Sequence, residues 1–250
     1  MTWSIVARDP ETGQIGVAVA TCAFAVGARV PFAETATGAL ATQAFTNPFY
    51  GPRGLALLGA GVPATDAVRI LTEADDGRAD RQLHLMDAAG RSAAYTGATC
   101  VPWCGHTVRD GFSVAGNMLA GAGVVQESAV AFERSTGQPL AERFLLALRA
   151  GEAAGGDKRG KQSAAMLIHD AEAYALIDIR IDDHPDPLAE LGRLLAVNGE
   201  RFAHYRTVMP SRANPFGVIG RAEIERRIAE SIAAAKPLPE GEVESAEPTG

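Results

Sequence analysis

The sequence predicts an α+β protein whose two mostly antiparallel sheets pack face to face between layers of helices, a four-layer αββα sandwich. Pairs of short, β-branched segments flank turn sequences, which indicates hairpins and excludes a purely parallel sheet. Segments with apolar residues at helical spacing separate them, in the order strands, helices, strands, helices, strands, helix. Hydrophobic residues make up 47% of the 250 residues, enough for a sizeable core in one large domain with or without an appendage.

The first half of the chain opens with a predicted hairpin. Its strands are expected at residues 5–7 and 15–21, on either side of the turn sequence at 9–13 (DPETG). A third strand is expected at 38–44, and a loop rich in glycine and proline follows it. Apolar residues then recur at helical spacing and predict two helices, at 53–58 and 63–73.

The second half of the chain repeats these signals. The expected elements are, in chain order, a hairpin at 83–86 and 93–96, a strand at 112–115, helices at 124–134 and 140–150, and a hairpin at 164–169 and 174–181. Gly151, Gly155 and Gly156 are typical of a helix C-terminus and are expected to end the second of these helices. Asp186 before Pro187 is typical of an N-cap and predicts a last helix through Leu195.

The chain divides into three predicted parts. Residues 2–198 form the αββα domain, and residues 199–236 form a C-terminal helical extension. Within the extension, a charged helix at 221–235 carries an apolar stripe of isoleucines. Residues 237–250 are rich in Glu and Pro and lack aromatic residues, so a disordered acidic tail is expected there. The extension is expected to serve contacts in a homo-oligomer.

Charge and composition exclude several function classes. The net charge is −7 and no Lys/Arg stripe is present, so a nucleic-acid partner is not expected. No run of about 18 apolar residues predicts a membrane span, and the N-terminus lacks the pattern of a secretory signal. Three cysteines make no disulfide framework and fit a reducing compartment. We therefore expect a cytoplasmic protein.

Thr2 is the first candidate catalytic residue. If Met1 is removed, Thr2 presents a hydroxyl and an α-amine on adjacent carbons, and the reference pKa of that amine is about 7.7–8.0. The amine can accept the hydroxyl proton near neutral pH and later return it to a leaving amine. One residue then supplies both nucleophile and base. The alternative is that Thr2 is an ordinary residue after an initiator methionine.

The charged, glycine-rich segment at 153–163 is the second candidate. Asp157 can orient the N-terminal amine, and Lys158 or Arg159 can hold a substrate carboxylate, the arginine in bidentate fashion. Ser163 closes this segment and is a candidate substrate contact. The alternative is a solvated turn whose glycines cap the preceding helix.

Amide side chains near two strand ends are the third candidate. Gln43, Asn47 and Arg53 lie in or just after the predicted strand at 38–44 and are candidate substrate contacts. Backbone N–H groups of this loop, Asn47, or Asn117 after the strand at 112–115 can stabilise an oxyanion. The alternative is a crossing loop whose amides satisfy buried backbone groups.

Two metal-like patterns do not predict a metal or any other cofactor. Cys100, Cys104 and His106 lack the second cysteine pair that a structural zinc site normally has. We expect His106, with Trp103, to line the substrate site instead. The acidic turn at 182–186 is explained by the N-cap role of Asp186.

Several of these segments together resemble one bacterial family of unknown function, domain of unknown function 1028, from Thr2 to about Leu195. The segments that carry the resemblance are residues 2–10 (TWSIVARDP), 41–44 (ATQA), 50–55 (YGPRGL), 116–121 (GNMLAG), 155–160 (GGDKRG) and 182–187 (DDHPDP). The resemblance implies the N-terminal-nucleophile (Ntn) hydrolase fold of proteasome β-subunits and penicillin acylase, without a settled substrate. Proteasome-type subunits place a lysine near the nucleophile from an early strand. Here Lys158 is the first lysine, so that role is absent or filled from the later loop.

The leading hypothesis is an amidohydrolase that cleaves a small amide with Thr2 as nucleophile. The expected substrates are an N-acyl or N-carbamoyl amino acid, an isopeptide or a short peptide, and the cationic loop favours one that bears a carboxylate. The alternative is a non-catalytic small-molecule binding protein that retains the Ntn fold. A cysteine hydrolase using Cys22 is a third reading, although Cys22 is not N-terminal.

Overall fold

Two antiparallel sheets form the centre of the molecule in the computed structural model, which describes residues 2–235. The strands are β1 (Thr2–Arg8), β2 (Ile15–Thr21), β3 (Pro31–Glu34), β4 (Gly38–Ala44), β5 (Arg81–Asp87), β6 (Ser92–Thr96), β7 (Gly105–Arg109), β8 (Phe112–Asn117), β9 (Ser163–His169) and β10 (Ile177–Ile181). The six-stranded sheet has the order β10-β9-β2-β1-β8-β7, and the four-stranded sheet has the order β3-β4-β5-β6. All the strand pairs in both sheets are antiparallel.

Helices cover the outer face of each sheet. The α-helices before residue 198 are α1 (Tyr50–Gly59), α2 (Ala64–Glu73), α3 (Gly123–Arg134), α4 (Leu140–Ala153) and α5 (Pro187–Val197). Helices α1 and α2 pack on β3 to β6, whereas α3 and α4 pack on the larger sheet. The two sheets pack on each other, because β4 and β5 contact β1, β2 and β8. These contacts make a four-layer αββα sandwich and confirm the predicted fold class.

The alternation of side chains along the strands produces three apolar layers. On β1, Trp3, Ile5 and Ala7 face α3 and α4, whereas Val6 faces the smaller sheet. The layer between the sheets contains small and β-branched residues from both, together with Met86. The third layer joins the smaller sheet to α1 and α2. Even-numbered residues of β1, including Thr2 and Ser4, therefore point between the sheets.

Two short strands were not predicted from the sequence. β3 has four residues and begins at Pro31, and β7 is an edge strand with the polar sequence GHTVR. Neither contains the apolar alternation that predicts a strand. Several predicted bounds also shift, including the start of β1 at Thr2 and the end of α4 at Ala153. Helix α1 begins at Tyr50 and takes Gly51 and Pro52 into its first turn, where proline is tolerated, and β10 begins at Ile177.

The end of α4 corrects one prediction about glycine. Gly151 lies inside the helix, and an added Cβ there would come within 2.7 Å of the indole nitrogen of Trp3. Its role is therefore close packing of α4 on β1. The chain leaves the helix through Gly155 and Gly156, both of which have positive φ. Their N–H groups bond to the carbonyls of Glu152 and Gly151, which is the expected C-terminal arrangement.

The chain groups into two compact units, one reaching Leu195 and the other starting at Ala196. The described part of the second unit ends with α6 (Ala203–Tyr205) and α7 (Arg221–Ala234). Ile228 of the predicted isoleucine stripe is fully buried. The predicted tail at 237–250 lies outside the described residues. Among residues 2–235, no helix is long and apolar enough to cross a bilayer.

Candidate active site

Thr2 is the first residue of a strand that is paired on both sides. Its neighbours are β2, through the register Trp3 with Ala20, and β8, where Thr2 lies opposite Asn117. Thr2 is 7% exposed, and its hydroxyl lies 3.3 Å from the hydroxyl of Thr21 at the end of β2. Pairing with Asn117 at Thr2 itself and with β2 from Trp3 onward fixes the backbone here, so the Thr2 side chain points between the sheets.

A chain of buried amides begins beside Thr2. The Gln82 amide nitrogen donates to the backbone carbonyls of Gly105 and Gly116, at 3.1 and 2.9 Å. Since carbonyls only accept, the orientation of the Gln82 amide is determined. The Gln82 Oε1 atom therefore accepts, and it receives the Gln43 and Asn117 amide nitrogens at 2.7 and 3.1 Å. Gln43 and Asn117, both predicted site residues, thus meet on Gln82.

The same series of hydrogen bonds determines the tautomer of a buried histidine, His84. Gln43 donates through its nitrogen, so its Oε1 accepts the Ser4 hydroxyl proton at 2.6 Å. The Ser4 oxygen must then accept from His84 Nε2, which lies 2.8 Å away. His84 Nδ1 is left to accept the Ser113 hydroxyl at 2.9 Å. We call Ser4, Gln43, Gln82, His84, Ser113 and Asn117 the polar network.

His84 is neutral in the folded protein. It is fully buried, and burial lowers the pKa of its imidazole to about 3, with the nearby His106 charge acting in the same direction. A neutral imidazole has one N–H, which agrees with donation from Nε2 and acceptance at Nδ1. The polar network is therefore a directed series of neutral hydrogen bonds, each with its donor assigned.

His106 lies at the outer end of this network. Its Nδ1 is 2.8 Å from the Thr96 hydroxyl, whose oxygen also lies 2.9 Å from the Gln82 amide nitrogen. The residue lies on an edge strand and is exposed overall, but partial desolvation of its ring by neighbouring atoms lowers the pKa of His106. Among residues 2–235, no group of three or more His, Cys, Asp and Glu side chains is arranged for a metal ion.

The segment between α4 and β9 crosses the strand ends near Thr2. Asp157 pairs with Leu119 in an isolated bridge after β8. The Asp157 carboxylate is fully buried and accepts the backbone N–H of Cys22, next to Thr21, at 2.8 Å. It also accepts the Arg159 N–H at 2.8 Å and its guanidinium at 3.3 Å. Asp157 therefore fixes Arg159 at the end of β2, beside Cys22.

Lys158 and Ser163 occupy the two ends of the same segment. The Lys158 ammonium donates to the carbonyl of Pro102 at 3.0 Å and is exposed. The Ser163 hydroxyl donates to the Ala23 carbonyl at 2.5 Å and accepts the Val26 N–H at 3.2 Å. These two bonds favour a role for Ser163 in holding the loop after β2. They leave Lys158 as the more accessible of the two predicted substrate contacts.

Asn47 and Arg53 lie together in a different place. They line a cavity of about 630 Å³ between α1 and α2, whose polar wall includes Tyr50 and Asp75. The Asp75 carboxylate receives the Asn47 amide and the Tyr50 hydroxyl, both at 2.8 Å. Burial raises the pKa of Asp75, but these bonds outweigh it and bring the value to about 2. The structure thus separates Asn47 and Arg53 from the polar network that holds Gln43.

Comparison with known proteins assigns the chain to a family. The model of a family of unknown function, DUF1028, matches residues 2–191. The chain belongs to this family. A crystal structure of a DUF1028 protein from Silicibacter pomeroyi superposes with a TM-score of 0.82 at 34% identity, covering 88% of this chain and 96% of that one. The match spans the entire sandwich, so the predicted resemblance is confirmed.

A more distant structure shares far less with the chain. Anbu, an ancestral beta-subunit from Yersinia bercovieri, has a TM-score of 0.37 and 13% identity, covering 78% of this DUF1028 chain and 95% of its own. A likeness this distant says nothing about activity. No curated protein matches the chain at a significant level.

Sequence reasoning missed four residues of the polar network, of which Ser113 lies on β8 and had no role in the predictions from the sequence. Ser4, Gln82 and His84 interrupt strands that are otherwise apolar on their inward faces. A polar residue at an inward position of a buried strand requires a hydrogen-bond partner, and that requirement was the signal available. The partners come from other strands, 29 to 80 residues away along the chain, so the sequence could not name them.

Proposed function

We propose that this DUF1028 protein is an amidohydrolase of the N-terminal-nucleophile type, with Thr2 as its nucleophile. The observation that carries the proposal is the place of Thr2, the first residue of a strand paired on both sides, with its hydroxyl between the sheets. Loss of Met1 would put a free amine beside that hydroxyl. The polar network and the cationic segment at 157–159 supply hydrogen-bond donors and charge around the same strand end.

In the proposed reaction, the Thr2 hydroxyl oxygen attacks the carbonyl carbon of the amide while the α-amine takes the hydroxyl proton. The carbon–nitrogen bond then breaks, and the amine passes that proton to the leaving nitrogen. Water attacks the resulting ester, adds its hydroxyl to the carbonyl carbon, and returns a proton to the threonine oxygen. The acid is released and the enzyme is restored.

Asn117 is the proposed donor to the oxyanion. It lies opposite Thr2 in the ladder between β1 and β8. One hydrogen of its amide is used on Gln82, which sets the direction of the other. A donor fixed in this way is already oriented when negative charge develops on the carbonyl oxygen. Release of amine from a panel of N-acyl and N-carbamoyl amino acids, isopeptides and dipeptides tests the proposed activity directly.

The first prediction concerns processing. Intact-mass spectrometry of the protein expressed at a low level should show the loss of one methionine, because a small residue such as Thr2 permits removal of Met1. N-terminal sequencing of the same sample should begin at threonine. Protein that hydrolyses a substrate while every molecule still carries Met1 would rule out the α-amine as base.

The second prediction concerns Arg159, whose guanidinium is held by Asp157 beside the end of β2. Arg159→Ala should raise KM for substrates with a free carboxylate about tenfold, since a charge-assisted bond is lost, and should change kcat less. Lys161→Ala is the matched control, because Lys161 lies in the same segment but pairs with Glu152 and Asp186. A loss confined to kcat would contradict the carboxylate-binding role.

A further inference from the structure

A cavity of about 460 Å³ adjoins Asn117, on the β8 side of Thr2. The ends of β4 and β8, which belong to different sheets, form two of its walls through Ala44 and Met118. The segment between β6 and β7 forms a third wall through Cys100 and Val101. Because Thr2 and Asn117 are ladder partners, this cavity begins one strand away from the proposed nucleophile.

The backbone at the mouth of the cavity is held in an unfavourable conformation. Ala44 and Met118 have φ of 67° and 60°, two of the four non-glycine residues with positive φ in residues 2–235. A residue other than glycine is strained in this conformation and keeps it only where its surroundings impose it. The Met118 N–H bonds to the Val101 carbonyl at 2.8 Å across the cavity wall, which shows how one of them is imposed.

The charges on the two sides of Thr2 differ in sign. The β2 side carries the Arg159 guanidinium. The lining of the cavity on the β8 side contains no lysine or arginine, and its carboxylate is that of Asp80, hydrogen-bonded to the Thr99 hydroxyl. Burial raises the pKa of the Cys100 thiol, so Cys100 itself adds no charge to the wall. The nearby cations lie outside the lining, with Lys158 on the Pro102 carbonyl and Arg81 on the Phe45 carbonyl. The lining residues therefore suit an apolar group, and the Asp80 carboxylate among them opposes an anionic one.

We propose that this cavity is the acyl-binding subsite and that the substrates are N-acyl amino acids with apolar acyl chains. The carboxylate of the amino acid would lie toward Arg159 and the acyl chain in the cavity, with the amide carbon between them at Thr2. This assignment rests on the proposed function and narrows its substrate class. It also distinguishes apolar acyl groups from anionic ones such as succinyl, which Asp80 repels.

Binding to the Thr2→Ala variant tests the subsite without requiring turnover. The probes are N-acetylglycine, N-butyrylglycine and N-hexanoylglycine, measured by titration calorimetry. Each methylene group that leaves water strengthens binding up to about fourfold, so the hexanoyl probe should bind at least tenfold more tightly than the acetyl probe. N-succinylglycine should bind more weakly than N-butyrylglycine, and Asp80→Asn in the same background should reduce that difference.

A variant that fills the cavity, compared with a matched control, tests whether the acyl chain binds there. Ala44→Met, added to the Thr2→Ala variant, should remove most of the gain in affinity from the acetyl probe to the hexanoyl probe, because the longer side chain occupies the cavity. Ala36→Met is the control, since Ala36 has a similar φ of 57° but lies exposed in the turn between β3 and β4. It should leave the chain-length series unchanged.

The outcomes separate the subsite from the activity. A flat series, an absence of measurable binding by every probe, or a gain that survives Ala44→Met overturns the acyl subsite, even if wild-type protein cleaves other amides. A chain-length gain that Ala44→Met removes supports the subsite. If wild-type protein shows that gain but hydrolyses neither these probes nor any amide of the panel, the cavity stands as an apolar binding site and the amidohydrolase proposal fails.

Discussion

Thr2→Ala is expected to abolish amide hydrolysis while leaving the fold intact. The substitution removes the proposed nucleophile, and it deletes only a small side chain, so the stability loss should stay within about 1–2 kcal/mol. Backbone pairing with β2 and β8 does not depend on the hydroxyl. Circular dichroism and the unfolding midpoint of the purified variant should match those of the wild type, and turnover of a confirmed substrate should be undetectable.

Two conservative variants at the same position are expected to differ in activity. Thr2→Ser keeps hydroxyl and amine and should retain activity, but it loses the β-methyl that restricts χ1, so the oxygen is less well aimed and turnover falls. Thr2→Cys changes the proton affinity of the nucleophile and should be more impaired on amides. Thr21→Val is a useful companion, because it removes the hydroxyl 3.3 Å from that of Thr2 while both strands remain. Wild-type hydrolysis rates in folded Thr2→Ala would exclude Thr2 as the nucleophile.

The second large effect is expected on stability in acid. His84 has a pKa of about 3 in the folded protein, compared with an ordinary value of 6.5. Between these values the unfolded chain binds a proton that the native protein does not, so folding is favoured as pH rises. The stabilisation is complete above about pH 6.5 and is lost as pH falls toward 3, by up to about 1.4 kcal/mol per pH unit.

Urea unfolding measured at intervals between pH 6.5 and 4.5 checks this expectation, in a range above the low pKa of Asp75. His84→Gln should be less stable at neutral pH, and its stability should depend much less on pH. His106→Gln is the control, because His106 also bonds to a hydroxyl but is exposed, so the wild-type slope should largely persist. If His84→Gln does not fold, titration of the His84 ring by NMR in the wild type replaces it. A ring that titrates near 6.5 would refute the neutral buried imidazole.

The fold was largely predictable because its signals are local. A hairpin is recognised by turn residues, such as those at 9–13, between two segments in which apolar residues recur at strand spacing. This pattern predicted most of the strands. β3 and β7 were not predicted, because a four-residue strand that begins with proline and a polar edge strand show little apolar periodicity. They depend on pairing with β4 and β8 for their conformation.

The site was predictable only in part because its contacts are not local. Thr2, Gln43 and Asn117 stand out as polar residues at strand ends, and the structure does bring Gln43 and Asn117 together through Gln82. Asn47 was grouped with Gln43 because only four positions separate them. The left-handed conformation of Ala44 ends β4 between the two, and Asn47 then joins the cavity of α1 and α2.

Different interactions hold the two sheets together at the two ends of the layer between them. Near Thr2 the sheets are joined by directed hydrogen bonds of the polar network, whereas farther along the strands Val6, Val17 and Met86 join them by apolar contact. Apolar attraction weakens on cooling. In a cold environment the hydrogen-bonded end therefore carries a larger share of the adhesion between the sheets.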